Sequence, residues 1–82
     1  MKTQEITLNT NYTQLNTQED KFLIQANGDL KLIVTDSGDP APTDDLNGII
    51  LQNGDAVNGD TFNGIIYGKS ATGVPCSAIV VE

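Results

Sequence analysis

Asp36, Asp39, Asp44, Asp45, Asp55 and Asp60 are the first residues to weigh for chemistry, because loops with clustered carboxylates can offer a calcium ion the oxygens it takes. No stretch, however, matches the Asp-x-Asp-x-Asp-Gly loop with its distal Glu. Beside Gly and Pro, an aspartate also does what an ordinary turn requires, since its side chain bonds the local backbone. Glycoside hydrolysis needs two acids facing each other across a cleft, one of them desolvated, and nearly every acid here falls in a loop. Ser37, Ser70 and Ser77 have no histidine to activate them, because the chain contains none, and Cys76 lacks both His and Arg nearby. Gly68-Lys69-Ser70 lacks the preceding glycine and the following helix of a phosphate-cradling loop. The expectation is a protein that is not an enzyme, with no cofactor and no resident metal.

Composition narrows the partners. Eleven Asp and Glu stand against four lysines, Lys2, Lys21, Lys31 and Lys69, and no arginine, for a net charge of −7 over 82 residues. Nucleic acids and anionic membrane surfaces both demand basic side chains, so neither is expected as a partner. Absent Trp and few aromatics argue against a sugar-stacking platform. The acidity reads as solubility, keeping copies from sticking nonspecifically. One cysteine excludes a disulfide within the chain, and 82 residues make a single domain, 1–82, with a thin stability margin. Oligomerisation is then the stabiliser that remains. No apolar secretory core follows Met1-Lys2-Thr3-Gln4-Glu5, and no stretch approaches bilayer length, so synthesis in the cytoplasm without a signal peptide is expected.

The elements that must position these residues are strands. Leu23-Ile24, Leu32-Ile33-Val34, Ile49-Ile50-Leu51, Ile65-Ile66 and Ile79-Val80-Val81 are short, mostly β-branched runs bounded by Gly, Asn, Asp or Pro. Alternation over residues 5–9 predicts a first strand, with a short second piece near Tyr12 and Leu15. Residues 21–26 and 30–35 flank Asn27-Gly28-Asp29, which predicts a tight hairpin. Residues 36–45 form a long loop, since Pro40 and Pro42 fit neither a central strand nor a helix interior. Further strands are expected at 48–52, 56–57, 65–69 with Phe62, and 75–81. Helix is limited to a single turn at 17–22 or 44–46. The Asn-Gly-Ile-Ile motif at 47 and again at 63 is shared turn chemistry before a strand and not a solenoid repeat. The fold class is all-β, a small antiparallel β-sandwich or jelly-roll-like barrel of seven to eight short strands.

Adjacent residues on a strand point to opposite faces, so these runs put apolar side chains on both. A domain of this size has interior for one face only, and the excess is expected to meet another subunit. The candidate interface residues are Leu23, Ile33, Ile50, Ile66 and Tyr67. Lys21, Lys31 and Lys69 are expected to guard strand edges before assembly.

Tyr12-Thr13-Gln14-Leu15, then residues 22–28 with their Asn-Gly end, the prolines at 40 and 42, Gly48-Ile49-Ile50-Leu51-Gln52-Asn53-Gly54-Asp55 and Ile66-Tyr67-Gly68-Lys69 form an ordered series. It resembles the small β-sandwich virion accessory proteins of tailed bacteriophages and prophages, which often carry Pro-Gly where this chain has Asn53-Gly54. The resemblance implies a structural protein of capsid-decoration, head-fibre or tail-associated type. Its location would be the virion, its partners copies of itself, preferably as a trimer, and a phage capsid or tail protein. The competing reading is a small acidic binding or regulatory module that presents the 36–45 loop to a protein partner.

Overall fold

The computed structural model describes residues 2–43 and 48–82 of the chain, and the strands there nest in pairs. They are β1 (Thr3–Leu8), β2 (Thr13–Gln14), β3 (Leu23–Asn27), β4 (Leu30–Thr35), β5 (Ile49–Leu51), β6 (Ala56–Asn58), β7 (Ile65–Ser70) and β8 (Cys76–Val81). First pairs with last, β1 with β8; then β2 with β7, β3 with β6 and β4 with β5, all antiparallel. The chain is thus one long folded hairpin, rolled so that β8 also meets β3 and β7 also meets β4. Rolling yields two four-stranded sheets, sheet A in the order β1-β8-β3-β6 and sheet B in the order β2-β7-β4-β5. This is the double-sheet jelly roll in miniature. Among the described residues there is no helix, including at 17–22, where the backbone runs as bends; the 44–46 turn lies outside the described residues. No helix there is long and apolar enough to cross a membrane.

The core is what the two sheets enclose. Sheet A contributes Leu8, Ile24, Ala26, Val57, Ala78 and Val80, and sheet B contributes Leu30, Leu32, Leu51 and Ile66, with Leu15 and Phe22 entering from connecting segments. Gly68 on β7 makes room for the leucines. A Cβ there would lie 3.0 Å from both Leu15 Cδ1 and Leu32 Cδ2.

The strands flanking Asn27-Gly28-Asp29 are where the sequence places them, but they do not form a hairpin. β3 belongs to sheet A and β4 to sheet B, so this turn is an arch between the layers. Side-chain parity excludes the two-residue form. A two-residue hairpin would pair Asn27 with Leu30, which would set Leu30 and Leu32 on the same face as Gln25 and Asn27. Crossing between sheets instead lets Ile24 and Ala26 on one strand and Leu30 and Leu32 on the other all point inward. Gly28, with φ 120°, makes the bend. A second arch, residues 52–55, stacks on it: Gly28 N–H donates to Asn53 Oδ1 at 3.1 Å, and Gly54 N–H to the Ala26 carbonyl at 2.9 Å.

Lys31 and Lys69 also differ from expectation. They lie on β4 and β7, the two central strands of sheet B, and Lys21 precedes β3, so none of them lines a sheet edge.

Candidate interaction surfaces

Register places Ile50, Lys31 and Lys69 in one row on the outer side of sheet B, and Ile33, Tyr67 and Gln14 in the next. Three of the five candidate interface residues, Ile33, Ile50 and Tyr67, therefore share one face. Ile50 is 53% exposed on the edge strand, Ile33 is half-buried, and Tyr67 is only 9% exposed. The Lys69 ammonium sits 5.2 Å from the centroid of the Tyr12 ring, a cation–π contact that holds both side chains against the sheet. The Tyr12 hydroxyl is buried and has no hydrogen-bond partner among the described residues. The neighbouring Ile49, on the opposite side of β5, is 37% exposed at the rim of the sandwich, so this edge strand shows apolar side chains both ways.

Leu23 faces the other way. It is 43% exposed on the outer side of sheet A, in a row with Val81 and Asn58. A depression of about 380 Å³ opens there, floored by Phe22, Leu23 and Val81 and rimmed by Asp20, Lys21, Asn58, Gly59 and Asp60. Its wall is a tight turn in which the Asn58 amide oxygen accepts from the backbone N–H groups of Asp60 and Thr61 at 3.0 and 3.1 Å. Ile66 is the correction in the set. Its exposure is 0%, and it belongs to the core, because β7 turns Ile66 inward and Ile65 outward.

Several residues with reactive atoms hold turns. Asp39 accepts from the Asp36 N–H at 3.0 Å, and Asp55 from the Gln52 N–H at 2.9 Å, each closing its own loop. Ser70 donates to the Val74 carbonyl at 2.6 Å and accepts from Gly73, which shapes the β7–β8 arch. Asn27 donates to Ser77, and Ser77 to the Glu5 carboxylate, forming a polar relay across the outer side of sheet A. The Cys76 thiol lies 3.7 Å from the Asp29 carbonyl at the first arch. Asp44 and Asp45 lie outside the described residues. Among the described residues no three His, Cys, Asp or Glu side chains come together as a metal site.

Two residues that the sequence did not single out organise this end of the fold. Asn16 is 1% exposed; its amide oxygen accepts from Ile66 N–H at 2.7 Å, and its nitrogen donates to the Gly64 and Gln18 carbonyls, each at 3.0 Å. The side chain takes over where β2 stops pairing with β7, standing in for a strand carbonyl. Glu82 accepts from the Thr17 and Gln18 N–H groups, tying the β2–β3 connection to the end of β8. Neither had a signal in the sequence, since an Asn in a Thr/Asn/Gln-rich stretch and a terminal Glu look like any solvated pair. No family model, curated protein or solved structure matches this chain.

Proposed function

We propose that the chain is a non-catalytic building block that associates with copies of itself and docks on a larger protein assembly, as a virion accessory part of capsid-decoration or tail-associated kind. One observation carries the reading: Ile50, 53% exposed on an edge strand, borders an outer face whose next row holds the half-buried Ile33, with Tyr67 already covered beside it. A second copy or a docking partner would remove that apolar surface from water, at about 25 cal/mol per Å² covered. Lys31 and Lys69 on the same face offset the acidic balance of the chain where copies would meet. Three copies around this face is the stoichiometry that the resemblance to phage accessory proteins implies.

Ile50→Glu tests it, since the new carboxylate faces Lys31 across the ladder and spares the core. Light scattering at micromolar protein is expected to show the wild type as a multiple of three 8.7 kDa chains. The variant should show threefold less mass while keeping its far-ultraviolet circular dichroism and a cooperative melt, the midpoint falling only by what association contributes. A monomeric wild type, or an Ile50→Glu protein of unchanged mass, overturns the reading.

A further inference from the structure

Sheet A ends on β1, and β1 is unlike the other strands that border a sheet. β5 and β6 have three residues each and β2 has two, whereas β1 has six. Lys2 N–H donates to the Glu82 carbonyl at 2.8 Å and Glu82 N–H returns the bond at 3.1 Å, so this is a hydrogen-bonded pair and the pairs alternate from it. Gln4, Ile6 and Leu8 consequently turn their backbone groups toward β8, while Thr3, Glu5 and Thr7 turn N–H and C=O away from the sheet. All three are exposed. Natural edges are guarded by Pro, Lys, bulges or shortness. β1 has no proline, no bulge and no shortness: it reads Thr-Gln-Glu-Ile-Thr-Leu in unbroken register with β8, and its charges are Lys2 at its first pair and Glu5.

We propose that β1 pairs antiparallel with β1 of a second copy across a twofold axis, joining two sheets A edge to edge. The inference rests on the reading that the chain self-associates, but it uses none of the residues of the sheet B face. Three registers bring the outward-facing groups together, with Gln4, Glu5 or Ile6 on the axis. Glu5 on the axis sets two carboxylates directly opposite, which is unfavourable. Gln4 on the axis sets Lys2 against Ile6 and leaves Leu8 past the end of the pairing. Ile6 on the axis opposes Ile6 with its own copy and Glu5 with Thr7. Ile6 is partly buried and packs on the core, so its counterpart covers the side the core leaves open. Glu5 and Thr7 then exchange about four main-chain hydrogen bonds with the second copy, two for each hydrogen-bonded pair.

Thr7→Pro tests the pairing. The Thr7 N–H faces outward and is not used by β8, and an edge strand tolerates proline at such a position. The variant is expected to keep the wild-type far-ultraviolet circular dichroism and a cooperative melt, with a midpoint lower only by what association contributes, and to show half the native mass. Cross-linking reports independently of how that variant folds. In a Cys76→Ser background, Ile6→Cys is expected to give a covalent dimer on oxidation, because directly opposed Cα atoms of such a pair lie about 4.5 Å apart, within disulfide reach. Gln4→Cys, opposed to Leu8 in this register, should not. A folded Thr7→Pro protein of wild-type mass, a native assembly with an odd number of chains, or cross-linking through Gln4→Cys in place of Ile6→Cys each overturns the proposal. Three chains that dissociate on Ile50→Glu would remove the edge contact and leave the sheet B face standing; loss of mass in Thr7→Pro alone would do the reverse.

Discussion

Replacing Asn16 by alanine isolates the contribution of a side chain that completes a β-ladder. The Asn16 amide oxygen is the acceptor for Ile66 N–H, and its nitrogen serves the carbonyl of Gly64. Both of those residues are buried. The orientation of the amide follows from chemistry, because a backbone N–H can only donate and must meet the oxygen. Alanine leaves one buried donor and one buried acceptor without partners, each costing about 1–3 kcal/mol, so about 3 kcal/mol is expected. A domain of this size has about 4–12 kcal/mol of total stability to lose from. At about 4–8 °C per kcal/mol, the melting midpoint should fall by about 12–24 °C. Urea unfolding followed by far-ultraviolet circular dichroism is the assay, with the midpoint moving and the slope unchanged. A loss under about 1 kcal/mol would refute the reasoning, since it would mean that Ile66 N–H and the Gly64 carbonyl find other partners when the amide is gone.

Gly28→Ala and Gly54→Ala form a matched pair, because both glycines have positive φ, at 120° and 94°, but only Gly28 has a neighbour in the way. A Cβ at Gly28 would lie 2.6 Å from Cys76 Cβ, whereas one at Gly54 meets nothing within 4 Å. Thermal melts should show about 1 kcal/mol lost at Gly54 and about 3 kcal/mol at Gly28, and equal losses would mean that the arch yields to the clash. Glu82→Ala removes the acceptor for Thr17 and Gln18 N–H at an exposed site, where water replaces part of the bond. About 1 kcal/mol should be lost in denaturant titration, accompanied by faster amide exchange at Thr17 and Gln18; protection unchanged at both would sink the assignment.

The strands themselves were legible in the sequence because apolar β-branched runs and Asn-Gly or Asn-Gly-Asp turns mark their middles and ends. Their partners were harder to read. At Asn27-Gly28-Asp29 the turn signal favours a hairpin; the parity of Ile24 and Ala26 against Leu30 and Leu32 excludes a two-residue one, but a three-residue hairpin and an arch between sheets share that parity, and the strand pairing decides. The twin Asn-Gly-Ile-Ile motifs make the same point for faces. On β5 the second isoleucine, Ile50, points outward, whereas on β7 the second, Ile66, points into the core. Nothing local separates the two. Phase is set by the ladder partner, since Ile50 lies opposite Lys31 on the outer side and Ile66 opposite Val34 on the inner one. Both arches also depend on bonds between distant segments, such as Gly28 N–H to Asn53, which no local pattern announces.

Charge distribution bears on both association surfaces. Of the eleven acids, Glu5 alone lies in a described strand, and the rest of those described fall in turns, connections and the end of the chain. The outer side of sheet B carries Lys31 and Lys69 and no acid in its described strands. Among the described residues, the acids other than Glu5 therefore gather at the rims of the sandwich, where loops meet solvent. Two copies that approach rim to rim bring like charges together within a screening length of about 8 Å, while copies that approach sheet face to sheet face do not. Along β1 the single carboxylate of Glu5 disfavours the one register that would set it against its own copy. Among the described residues, the acidity that discourages random sticking thus lies mainly in the turns and connections, and not on the strands that form the sheet B face.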